Sequence, residues 1–189
     1  MCVFCGSSPG KGPAYQAAAR RVGEVLAERG IGLVYGGASV GTMGVVADAA
    51  LAAGGSVHGV IPQSLVDREI AHPGLTELRV VADLHERKAA MSELADAYLT
   101  LPGGAGTLEE LFEVFTWAQL GLHRKPIALL DVGGYYQPML RFMANMSAEG
   151  FLDPLFREML IVTADVAEAL DRFADYEPPR TKWTRAHGE

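Results

Sequence analysis

Leu99-Thr100-Leu101-Pro102-Gly103-Gly104-Ala105-Gly106-Thr107-Leu108-Glu109-Glu110 joins a short apolar run, through a proline and a cluster of glycines, to the start of an amphipathic stretch. This order predicts strand, tight loop and helix. Glycines at 103, 104 and 106 let the backbone turn its N–H groups inward with no Cβ in the way, and the following helix adds unpaired N–H groups and the positive end of its dipole. A loop of this kind holds an anion, most often phosphate. An ordinary strand-to-helix turn has the same composition, so the rest of the chain must decide between them.

Outward from this stretch the same alternation recurs. Residues 1–5 read as a strand ending in a glycine- and serine-rich loop, and Pro13 opens a helix in which Tyr15, Ala18, Ala19, Val22 and Leu26 recur at helical spacing until Gly30. Strands are expected at residues 33–35, 57–61, 78–81, 97–101, 127–130 and 160–162, and helices at 45–53, 107–120, 135–149 and 166–173. Asp83 with Glu86 forms a capping box for one more helix, and residues 62–73 read as a loop. Strands alternating with helices along the whole length imply an α/β fold, a Rossmann-like doubly wound parallel sheet of about seven strands with helices on both faces. Residues 1–176 are expected to form this single nucleotide-binding domain and residues 177–189, with Pro178 and Pro179, a flexible tail. In such sheets ligands bind beyond the carboxyl ends of the strands, where the glycine loops gather.

The second glycine-rich junction, residues 36–44, also joins a strand to a helix. Neither junction fits G-x-G-x-x-G, so the pattern suits a mononucleotide better than a dinucleotide. Lys11 does not complete a P-loop, because Gly12 stands where Ser or Thr is needed.

With 189 residues, 49% hydrophobic and 21% charged, the composition is that of an ordinary single domain. A net charge of −7 argues against nucleic acid or an acidic membrane as a partner, so any anion site must be local. Residues 31–47 are uncharged but glycine-rich and short of a bilayer span, and the start of the chain lacks a signal-peptide pattern, so the expected place is the cytoplasm. The two cysteines, Cys2 and Cys5, are expected to be reduced, one buried and one at a strand end. No zinc pattern accompanies them, and the histidines are scattered, so no metal site is expected.

Two cations and a carboxylate stand out. Arg87 and Lys88 share a helical stripe with Leu84, Met91 and Leu94 or Ala95, either as a snorkelling surface pair or as the lining of an anionic ligand's cleft. Glu110 has Val114 and Trp117 as helical neighbours, so it does not lie on a plain charged face. Thr107-Leu108-Glu109-Glu110 also fits a capping box, so capping and catalysis compete for the same side chain.

Pro102 to Glu110, with the pattern Pro-Gly-Gly-x-Gly-Thr-x-x-Glu, resembles the signature of the LOG ("lonely guy") family of cytokinin riboside 5′-monophosphate phosphoribohydrolases, often labelled lysine decarboxylases. Val3 to Ser8, Tyr35-Gly36-Gly37 through Gly44, Arg87-Lys88 and Thr116 to Gly121 with His123, Lys125 and Pro126 match the family in its order. The resemblance implies hydrolysis of the N-glycosidic bond of a cytokinin nucleotide, with Arg87 and Glu110 catalytic. It implies substrate contacts from Ser8, Glu69, Arg87, Lys88, Gly103, Gly104, Ala105, Gly106, Thr107, Glu110 and Thr116. It further implies a homodimer whose site the partner completes, and no cofactor. Thr42 departs from the larger apolar residue common in the family and bears on the base pocket. Two other functions fit the residues: a general purine nucleotide nucleosidase acting on AMP, and a non-catalytic nucleotide-binding carrier. A pyridoxal phosphate decarboxylase fits poorly, since none of Lys11, Lys88, Lys125 and Lys182 sits in a convincing Schiff-base setting.

Overall fold

The computed structural model describes residues 1–68 and 70–183; Glu69, an expected substrate contact, and residues 184–189, the end of the expected tail, lie outside the described residues. In chain order the elements are β1 (Cys2–Phe4), α1 (Ala14–Glu28), β2 (Leu33–Tyr35), α2 (Gly41–Ala52), β3 (Val57–Pro62), α3 (Gln63–Val66), β4 (Glu77–Val81) and α4 (Leu84–Glu93). There follow β5 (Tyr98–Thr100), α5 (Ala105–Leu120), β6 (Ile127–Leu130), a 3-10 turn at Val132–Gly134, α6 (Gln137–Ala148), α7 (Pro154–Glu158), β7 (Leu160–Thr163) and α8 (Val166–Ala174).

The seven strands form one sheet in the order β4-β3-β2-β1-β5-β6-β7, and every pairing is parallel. The chain therefore builds outward from β1 to β4, returns to the other side of β1, and builds outward again. The turning point lies between β1 and β5, where a doubly wound sheet opens a crevice beyond its strand ends.

Alternation along the strands sorts the core into two layers. Val3, Leu33, Tyr35, Leu99 and Leu130 pack with α1, α2 and α8 on one face. Cys2, Phe4, Val34, Tyr98 and Leu129 pack with α4, α5, α6 and α7 on the other. Cys2 and Cys5 fall on opposite faces; both are buried and free, Cys5 lying one residue beyond the end of β1.

Several boundaries differ from the sequence reading, each for a local reason. α5 begins at Ala105, two residues before Thr107, because the extended backbone of Gly104 already supplies the cap position. α2 begins at Gly41 because the Gly6 carbonyl accepts from the N–H groups of Thr42 at 3.0 Å and Met43 at 3.3 Å. Within residues 62–73 the chain forms α3 and then folds back, Ser39 N–H donating to the Ile70 carbonyl and His72 N–H to that of Gly37, both at 2.9 Å. The capping box of α4 is skewed: Asp83 accepts from His85 and Glu86 N–H, while Glu86 accepts from Ala82 N–H rather than from its partner's. The unexpected α7 carries its own signal, Asp153 accepting from Leu155 N–H ahead of a first-turn proline.

Beyond α8, Lys182 N–H donates to the Gln119 carbonyl at 2.8 Å, which ties the described part of the chain end to the last turn of α5. Among the described residues no helix is long and apolar enough to cross a membrane.

Candidate active site

At the turning point of the sheet, the loops after β1 and β5 enclose a cavity of about 260 Å³ walled by Gly6, Ser8, Tyr15, Thr42, Gly103 and Tyr135, among others. Tyr15 and Tyr135 meet edge to face at 5.8 Å. Neither tyrosine stood out in the sequence, where Tyr15 read as part of a helical apolar stripe. The signal available was an aromatic residue in the first turn after a glycine loop.

Of the Pro102-to-Glu110 stretch, Pro102, Gly103 and Gly104 line the cavity. The hydroxyls of Tyr135 and Tyr136 donate to the Gly103 and Leu101 carbonyls, each at 2.6 Å, so the carbonyl edges of the loop are taken up from outside. The first intrahelical bond of α5 runs from Leu108 N–H to Gly104 C=O at 3.1 Å, so the N–H groups of Ala105, Gly106 and Thr107 precede any helical acceptor. Thr107 lies folded back over Gly103: a Cβ on Gly103 would stand 2.1 Å from its Oγ1. Around Gly104 and Gly106, by contrast, the space is open. The loop thus presents donors and a helix N-terminus to the cavity, an arrangement suited to phosphate.

Arg87 and Glu110 are not among the residues lining this cavity; α4 and α5 bring them together, Nη2 to Oε1 at 3.4 Å, with side chains 11% and 12% exposed. Because Glu110 faces Arg87 and the cap of α5 is Gly104, the competing capping-box role for Glu110 does not arise. The guanidinium needs the bare backbone of Gly36 at the end of β2, where an added Cβ would lie 1.8 Å from Nη2. Arg87 Nε is buried without a hydrogen-bond partner, and a contact of 3.4 Å satisfies little of a five-donor group. Burial pushes the Glu110 carboxyl up to about 7; Arg87 opposes that rise, Glu109 adds to it, Lys88 opposes it and Glu113 adds to it. A buried cation with unused donors beside a carboxylate poised near neutrality is a receptive site rather than a finished structural pair.

The other expected site residues divide. Ser8 stands exposed in the cavity wall. Lys88 is buried, with its ammonium between the carboxylates of Glu109 and Glu113, the latter at 3.0 Å. Burial works against its charge, and hydrogen bonds to the two carboxylates more than offset this, so its pKa is raised. Thr116 is exposed on α5, outside the cavity, and donates to the Phe112 carbonyl at 2.7 Å. Burial pushes the Cys5 thiol up to about 12 and raises Cys2 as well, so neither is a thiolate. Among the described residues no group of three His, Cys, Asp or Glu is placed to hold a metal.

A family profile described as "possible lysine decarboxylase" matches residues 43–173. A cytokinin riboside 5′-monophosphate phosphoribohydrolase of Arabidopsis thaliana is 52% identical over 178 residues, 94% of this chain and 82% of that protein. The protein of the same description from Rhodococcoides fascians is 52% identical over 171 residues, 90% of this chain and 86% of its own length. The chain belongs to the LOG family. Among solved structures, a molybdenum cofactor carrier protein of Chlamydomonas reinhardtii superposes with a TM-score of 0.67 at 23% identity, covering 93% of this chain and 97% of that one. The molybdenum cofactor binding protein of Rippkaea orientalis gives 0.69 at 19% identity, covering 92% and 94%. These two likenesses show the fold alone.

Two features of this LOG protein follow from the geometry. The Thr42 hydroxyl is taken up by Gly6, accepting from its N–H at 3.0 Å and donating to its carbonyl at 3.1 Å, so it fastens α2 to the first loop. The decarboxylase label finds no support in the lysines: Lys88 is ion-paired and Lys125 donates to the Ser92 carbonyl at 2.6 Å.

Proposed function

We propose that this chain hydrolyses the N-glycosidic bond of N6-modified adenosine (cytokinin) 5′-monophosphates, releasing the free base and ribose 5-phosphate. The observation that carries the reading is the buried, half-satisfied Arg87–Glu110 pair beside a loop of free N–H groups. The names of the two relatives support the choice of substrate.

The 5′-phosphate sits on Gly103, Gly104, Ala105, Gly106 and Thr107, each charge-assisted bond contributing roughly 1.5–3 kcal/mol. As the bond from ribose C1′ to the base nitrogen breaks, its electron pair leaves with the base and positive charge grows on the sugar. Glu110, as carboxylate, stabilises that charge and takes a proton from the water whose oxygen bonds to C1′. Arg87 donates a hydrogen bond to the base as it gathers negative charge, with phosphate binding as its alternative duty; the proton that Glu110 takes from water passes to the departing base, which restores the carboxylate. Because Glu110 must be ionised and its pKa is raised to about 7, kcat/KM falls as the pH drops below neutrality. Ser8, Glu69 and Thr116 complete the proposed substrate contacts. The working unit is proposed to be a cytoplasmic homodimer. Exposed Leu84 on α4, Leu94 at its C-terminal cap and Thr116 on α5 leave surface for the second copy.

The test is incubation of the purified protein with N6-isopentenyl-AMP, with AMP and with the unphosphorylated isopentenyl riboside, following free base and ribose 5-phosphate. Release from the modified nucleotide alone is the expected result. Equal release from AMP would make it a general purine nucleotide nucleosidase, and tight binding without release from either would make it a nucleotide carrier.

A further inference from the structure

Consecutive residues on α4, Arg87 and Lys88, face consecutive residues on α5, Glu109 and Glu110, and Glu113 adds a third carboxylate one turn further on. Arg87 is the loosely held cation of the two: its contact to Glu110 is 3.4 Å and its Nε has no partner. Lys88 is the locked one. Its side chain is 7% exposed and its ammonium has carboxylates on two sides, so a substrate contact would require breaking an ion pair already made. We propose that Lys88 is a positioning residue, which acts on the substrate only through Glu110 by keeping that carboxylate ionised while Arg87 turns to the nucleotide.

The charged and titratable groups that face Glu110 come from three elements. From α4 they are Arg87 and Lys88, from α5 Glu109 and Glu113, and from β1 and the residue after it the thiols of Cys2 and Cys5, which burial keeps neutral. Two carboxylates therefore push Glu110 towards its protonated form and two cations oppose them. An anionic substrate that draws on Arg87 removes part of that opposition and brings further negative charge. Lys88, fixed by Glu109 and Glu113, stays in place and holds the balance.

This inference rests on Glu110 being the catalytic carboxylate, and the experiment separates the two. The pH dependence of kcat/KM for N6-isopentenyl-AMP is measured for wild type, K88M, K88R, E109Q, E113Q and E110Q; the ionisation of the substrate phosphate is common to all and drops out of the comparison. K88M and E109Q break the same ion pair but remove charges of opposite sign. The acid limb is expected to move up by about 0.5 to 1 pH unit in K88M and down by a similar amount in E109Q, with E113Q following E109Q and K88R restoring the wild-type position. At a pH on the acid limb K88M then loses about 3- to 10-fold relative to wild type. A mere clamp between α4 and α5 predicts that K88M and E109Q lose activity together with unshifted limbs; that result, or limbs moving in the same direction, overturns the role of Lys88. If K88M does not fold, E109Q decides alone, since its side chain is 58% exposed, and an unmoved limb there overturns the proposal. E110Q with wild-type turnover and profile would instead overturn the reading of Glu110 itself.

Discussion

The two edges of the sheet each bury a small cluster of polar side chains, and the clusters are built on opposite terms. At the amino-terminal edge of β5 and β6, Lys125 Nζ donates to the Ser92 carbonyl at 2.6 Å and the Ser92 and Tyr98 hydroxyls share a bond of 2.5 Å. There His123 accepts from Lys125 N–H at Nδ1, which leaves Nε2 to donate to the Val114 carbonyl at 2.8 Å, while the ring packs on Tyr98 at 5.1 Å. Burial lowers the His123 pKa and keeps the ring neutral in that role. At the carboxyl-terminal edge, Arg87 keeps an unpartnered Nε and Glu110 sits among charges of both signs with its pKa near neutrality. What separates a cluster that holds the fold from one that meets a ligand is how much of its hydrogen-bonding capacity is already used.

The comparison breaks most readily at Glu110. E110Q is expected to lower turnover on the cytokinin nucleotide by roughly 10²-fold or more while nucleotide binding stays measurable by calorimetry, the scale of lost acid–base assistance. Undiminished turnover would make Glu110 as structural as His123. A smaller effect, about tenfold or more in kcat/KM, is expected of G36A, because the new methyl occupies the place of the Arg87 guanidinium and must displace it. Wild-type kcat/KM in G36A would show that Arg87 need not lie where it does. The least effect on catalysis belongs to the other edge: K125M is expected to lower stability by about 0.5–1.5 kcal/mol in a denaturant titration, because the Ser92 carbonyl loses the ammonium and keeps only the Ala95 N–H at 3.2 Å, while kcat/KM stays within about twofold. A large catalytic loss in K125M without loss of stability would erase the contrast between the edges.

How much of this was legible depends on the range of the interaction. The strands and the glycine stops were readable because each is a local pattern, and residues 33–35 and 127–130 fall where the apolar runs place them. The parallel, doubly wound sheet followed from the alternation, but the strand order and the register come from contacts between distant segments. The same limit applied to the site. Gly103, Gly104 and Gly106 suggested an anion loop, but their composition fits an ordinary strand-to-helix turn equally well. The sequence left Glu110 between capping and catalysis, and the structure removes the first by putting the cap on Gly104 and Arg87, from another helix, against Glu110. Gly36 looked like one glycine among several in its loop, since nothing local says that a guanidinium from α4 will lie against it. The return of residues 70–72 onto the Gly37–Ser39 backbone is likewise a long-range hydrogen-bond pattern with no local signature.

Tyr135 and Tyr136 bear on which molecules reach the chemistry at all. Their hydroxyls take up the Gly103 and Leu101 carbonyls, so these two acceptors are already engaged beside the N–H groups of Ala105, Gly106 and Thr107, which precede any helical acceptor. On the proposed function, a phosphorylated nucleotide brings the charge that those N–H donors can meet, and its riboside leaves them unanswered. On the proposed reading, selection for the phosphate precedes any encounter of the sugar with Glu110, and a site so gated spares the far more varied pool of neutral nucleosides from hydrolysis.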